Sequence, residues 1–104
     1  MKLPKKVIVG GLHFKIKYVI PGKDKGLAEG ELGAMILNSQ TIWIAKGQTP
    51  SMTMLTILHE FLHAIGDTIN PNKGPFVKED FTSTASHLLL QALQSSGLLR
   101  KLPG

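Results

Sequence analysis

The sequence has no cysteine among its 104 residues. Disulfides, zinc ribbons and thiolate ligands are thereby excluded, and any transition metal must be held by imidazole and carboxylate. Aromatic residues make up only 6%, with one tryptophan and one tyrosine. No apolar run approaches the length of a membrane span. The run after the basic start, Val7-Ile8-Val9, is too short for a signal-peptide core and ends in Gly10-Gly11, so a cytoplasmic protein is expected. Acidic residues are scarce: seven, against twelve lysines and arginines, for a formal net charge of +5.

Hydrophobic residues account for 42% of the chain, enough for one small core, and the length suits a single domain over residues 1–104. Seven of the twelve basic residues fall within positions 1–25, against one acid, Asp24. Lys15 and Lys17 alternate with Phe14, Ile16 and Tyr18, the pattern of a strand with one solvated face. The same charge can serve a nucleic-acid partner, although no recognised nucleic-acid motif accompanies it.

Leu12, Phe14, Ile16, Tyr18 and Ile20 repeat with a period of two, which marks a half-buried strand. Lys5–Val9 reads as a second strand, joined through Gly10-Gly11, a pair suited to the positive φ of a tight hairpin. Residues 21–33, with Pro21 and four glycines, read as a flexible surface loop. Ala34–Leu37 and Thr41–Ala45 form a second hairpin around Asn38-Ser39-Gln40.

From Thr49 the period changes. Met52, Leu55, Leu58, Leu62, Ile65 and Ile69 recur at three and four, with Thr49 as N-cap and Pro50 at the first helical position. Met54, Ile57 and Phe61 lie on other sides, so the helix should be buried almost all round. Asn70–Pro75 breaks it, and a second helix is expected from about Val77 to Ser96, carrying Phe81, Ala85, Leu88, Leu89, Ala92 and Leu93, with Gly97 ending it. The expected fold is α+β: a small, mostly antiparallel sheet of two hairpins, packed on the first helix with the second beside it.

Within the first helix stands His59-Glu60-Phe61-Leu62-His63, the HExxH pattern. Residues four apart share a helical face, so both imidazoles can reach one zinc ion while Glu60 projects beside them as general base toward a bound water. A shuffled chain of this composition shows the pattern only about once in two hundred. A catalytic zinc site generally takes three protein ligands and keeps one open position. The motif resembles that of the zincin metallopeptidases. Gly66 matches the metzincin extension, but Ile69 stands where that family needs a third histidine.

What remains resembles the gluzincins, whose third ligand is a glutamate on the following helix. That resemblance implies Glu79 as ligand, with Asp80 and His87 as alternatives. It implies an aspartate four residues later to orient a histidine, where this chain has Ser83; Asp67 or Asp80 can substitute. Tyr18, His13 and His87 are the available oxyanion donors. Ala34, Met35, Ile36 and Leu37 resemble the edge strand on which thermolysin-like proteins hold an extended substrate. The chain as a whole looks like small phage- or prophage-encoded zincin-like proteins. The expected activity is zinc-dependent hydrolysis of a peptide or protein substrate. The rival expectations are a zinc-stabilised binding module without turnover and a nucleic-acid-associated protein using the lysine-rich hairpin.

Overall fold

The computed structural model describes residues 3–23, 26–69 and 78–95. Strands β1 (Lys6–Val9) and β2 (Leu12–Val19) form the first hairpin, and β3 (Gly33–Ile36) and β4 (Thr41–Ala45) the second. Helix α1 runs Pro50–Ile69 and α2 Glu79–Ser95. The hairpins join through a parallel β2–β4 pairing, giving the order β1-β2-β4-β3. Two of the three pairings are antiparallel, as expected for this α+β chain. No helix among the described residues is long and apolar enough to cross a membrane.

The period of two in β2 translates directly into packing. Phe14 and Ile16 turn inward at 1% and 5% exposure, while His13, Lys15 and Lys17 face solvent. With Ile42 and Ile44 of β4 they meet Ile57 and Ala64 of α1 in one core. Gly10 and Gly11 both take positive φ, as the two-residue turn requires. A side chain at Gly10 would also press on Thr68 of α1.

The second hairpin turns over four residues, 37–40, with Gln40 at φ 48°. The strand expected at Ala34–Leu37 is therefore displaced by one: Gly33 belongs to it and Leu37 to the turn. The described residues of the expected surface loop, 21–23 and 26–33, make specific contacts. Leu27 is 3% exposed, the Gly22 amide donates to the Leu27 carbonyl, and Gly26, at φ 110°, lies so close to the Trp43 indole that a Cβ would collide with it.

Helix α1 starts where its capping signal stands, with the Met52 amide donating to Thr49 Oγ1 at 3.2 Å. From Thr53 to Thr68 every residue is buried or half-buried. The side chains that meet the sheet are nevertheless not the expected stripe. Ile57 and Ala64 enter the core, and Thr56 and Glu60 lie beneath Gly33, whereas Met52 is 40% exposed. A helix that is apolar almost all round has no periodic signal to fix its rotation.

Helix α2 departs further. Among its described side chains Thr82, Ser86 and Leu90 are buried, whereas the apolar Phe81, Leu88 and Leu89 are 47%, 61% and 37% exposed. The Ser86 hydroxyl donates to the Thr82 main-chain carbonyl at 2.7 Å, so it enters the helix interface satisfied. The break at Asn70–Pro75, the start at Val77 and the end at Gly97 lie outside the described residues, as does the side chain of Ala92.

Candidate metal centre and its cleft

His59 and His63, one turn apart on α1, direct their Nε2 atoms to one point, 3.1 Å from each other. Glu79, the first residue of α2, closes the group: its Oε2 lies 3.1 Å from His59 Nε2 and its Oε1 2.6 Å from His63 Nε2. The cluster can hold a metal ion, and its donor atoms all lie within 4.8 Å of one another. Bonds of 2.0–2.2 Å to a tetrahedral ion place donors roughly 3.3 Å apart. The observed separations are within a few tenths of an ångström of that, except where Glu79 bonds His63 directly.

The surroundings suit this role. Burial lowers the His59 pKa, with the nearby Glu79 carboxylate opposing it, which favours the neutral, metal-competent imidazole. The histidine side chains are 17% and 15% exposed, and that of Glu79 is 71% exposed, so the cluster opens to solvent on the α2 side. Glu79 also occupies the first turn of its helix, where the dipole favours a negative charge.

Glu60 is the most buried carboxylate of the site, at 5% exposure. Its burial, reinforced by the charges of Glu79 and Glu31, pushes its pKa up to about 8. It is admitted by Gly33: a Cβ there would stand 2.7 Å from Thr56 Cγ2 and 3.0 Å from Glu60 Oε2. The absence of that one atom lets α1 approach β3 and sets Glu60 against the strand backbone.

Glu60 and the cluster open into a cleft of about 610 Å³ that reaches β3. That strand is an edge, and its register decides which main-chain groups are free. The Ala45 amide donates to the Leu32 carbonyl, so the bonded pairs with β4 are Leu32–Ala45, Ala34–Trp43 and Ile36–Thr41. Gly33 and Met35 therefore turn their N–H and C=O groups to the open edge, while Ala34 and Ile36 spend theirs on β4.

The other sequence candidates separate cleanly. Asp67, Ser83 and His87 line the cleft outside the cluster; Asp80 does neither. The Tyr18 hydroxyl donates to the Pro4 carbonyl, and neither Tyr18 nor His13 lines the cleft. Sequence reasoning missed Gly33 and Glu31, both assigned to a loop. A glycine directly before an apolar strand was the available signal for a close approach.

Compared with known proteins, the chain matches no family model, no curated protein and no solved structure.

Proposed function

We propose that the protein is a zinc-dependent metallopeptidase of gluzincin type, with His59, His63 and Glu79 as metal ligands and Glu60 as general base. The observation that carries this reading is the meeting of three donor atoms from two helices beside a buried carboxylate, in a cleft bounded by an open strand edge. Two imidazoles and one carboxylate are a catalytic zinc donor set, and zinc held there would bring the pKa of a coordinated water to about 7 and polarise the substrate carbonyl.

The chain's own residues supply the rest. Desolvation makes the Glu60 carboxylate more basic than one in water, so it accepts the proton of the attacking water and passes it to the leaving nitrogen. Gly33 and Met35 hold an extended peptide by β-augmentation, fixing its register beside Glu60. His87 lines the cleft and is available to donate to the developing oxyanion.

The test combines metal analysis with digestion of an unstructured protein by wild type and by Glu60→Gln. The reading requires one zinc per chain in both and cleavage by the wild type only. Zinc binding that raises the melting temperature of wild type, with no hydrolysis of any unstructured protein, would reassign the site to a structural role. A proline at Met35 tests the edge, because that N–H faces outward: it should impair cleavage and keep zinc, whereas proline at Ile36 removes a bond to β4 and should damage the fold.

A further inference from the structure

The chain is basic, yet its cleft is not. Four of its seven acidic residues, Glu31, Glu60, Asp67 and Glu79, line the cleft, and no lysine or arginine does so among the described residues. A dication held by the histidines and Glu79 would offset the formal charges of Glu79 and Glu60. No salt bridge from a described residue compensates those of Glu31 and Asp67. Glu60 itself is 95% buried, lines the cleft, and accepts no hydrogen bond from a described residue, so this carboxylate is left for a ligand in the cleft.

Glu31 is the better placed of the two. It stands two residues before Gly33, the point at which β3 meets Glu60. The Ala28 amide donates to its Oε1 at 2.7 Å, which holds the side chain while the carboxylate keeps further acceptor positions. Its charge is felt at Glu60. A peptide lying along Gly33 and Met35 passes Glu31 within one or two residues of the bond beside Glu60, since a strand advances about 3.3 Å per residue.

We infer that the cleft selects peptides carrying a cationic group, an ammonium or guanidinium, within two residues of the bond to be cleaved, and that Glu31 is the residue that recognises it. The inference rests on the peptidase reading for its register but not for its electrostatics. The cation can come from a lysine or arginine side chain or from a free amino terminus. Glu31 is solvent-exposed, so the preference should be modest, about fivefold, and should shrink as salt screens it.

The experiment uses the zinc-loaded full chain and one neutral octapeptide, acetyl-capped, with lysine or glutamine walked through successive positions, together with its uncapped form. Hydrolysis is read as kcat/KM, and binding as fluorescence anisotropy of labelled peptide on zinc-loaded Glu60→Gln. At least one lysine register, or the uncapped peptide, should exceed its glutamine or capped counterpart about fivefold in both readouts. In Glu31→Gln, whose side-chain carbonyl can still accept from Ala28, the ratio should fall below twofold, and Glu31→Lys should invert it toward a glutamate-bearing peptide. Preference confined to the uncapped peptide assigns the cation to the amino terminus; preference at an internal register assigns it to a side chain. Ratios within twofold of one for every peptide, or a preference that survives Glu31→Gln, would overturn the inference. Selective binding without hydrolysis would instead overturn the peptidase reading alone.

Discussion

The two helices meet at one site but are built from opposite kinds of surface. Helix α1 is buried or half-buried from Thr53 to Thr68 and carries both histidines and Glu60 in that setting. Helix α2 contributes Glu79 from its exposed first turn, packs through Thr82, Ser86 and Leu90, and leaves Phe81, Leu88 and Leu89 in solvent. The difference shows what sets each helix's rotation. Hydrophobic burial holds α1 from every side, whereas the phase that brings Glu79 to the histidines is the one that turns Thr82, Ser86 and Leu90 inward, since all lie on one helical face.

The largest effects should come from the α1 side. His59→Ala and His63→Ala each remove a donor atom of the cluster and, on the proposed reading, should abolish stoichiometric zinc, measured by metal analysis. Glu60→Gln should keep the zinc and lower kcat by about a thousandfold, within the range for loss of a general base. A Glu60→Gln protein devoid of metal, or cleaving at the wild-type rate, would break the division of roles along α1.

The α2 side should respond more narrowly. Glu79→Gln should weaken zinc affinity by about a hundredfold, whereas Asp80→Asn and His87→Ala should change it less than threefold, because of these three Glu79 is the one in the donor cluster. Competition against a chelator of known affinity measures all three. An effect at His87 equal to that at Glu79 would mean that the ligand set seen between the helices is not the one used.

Burial of Glu60 makes a separate demand on the metal-free protein. Its carboxyl titrates near 4.5 when unfolded and at about 8 in the fold. Between these values the folded chain binds a proton that the unfolded chain has released, so stability should fall as pH rises from about 4.5 to 8, then level off. Chelator-treated Glu60→Gln should lack this decline. Denaturant melts of the two proteins across pH 4–9 decide it, and parallel curves would show that Glu60 is hydrated in the metal-free state.

The sequence was most legible where one residue type permits one local structure. Gly10-Gly11 gave the first turn, Thr49-Pro50 the start of α1, the alternation in β2 its buried face, and HExxH two of the three donors. Strand order was not legible, because nothing local to β2 or β4 records that they lie side by side in parallel. Nor was the helix phase. In α1 too many positions were apolar for a period to choose among them. In α2 the many apolar side chains mark no single packing face, and two small hydroxyl residues, Thr82 and Ser86, turn inward instead. The cleft depended on Gly33 and Glu31, whose roles arise only once β3 is placed over α1.

The last expectation tests the contrast between the helices directly and carries the smallest effect. Leu62 on α1 is 9% exposed, and Leu88 on α2 is 61% exposed. Truncating a buried leucine removes its transfer energy and leaves a cavity, so Leu62→Ala should cost about 2–4 kcal/mol. Leu88 has most of its surface in water already, and Leu88→Ser should change stability by less than about 0.5 kcal/mol. The zinc-loaded proteins should be compared at equal free zinc, because bound metal adds to both melts. If Leu88→Ser destabilised as much as Leu62→Ala, the outer face of α2 would be covered in solution. The phase fixed by Glu79 would then have to coexist with a second packing surface on the same helix.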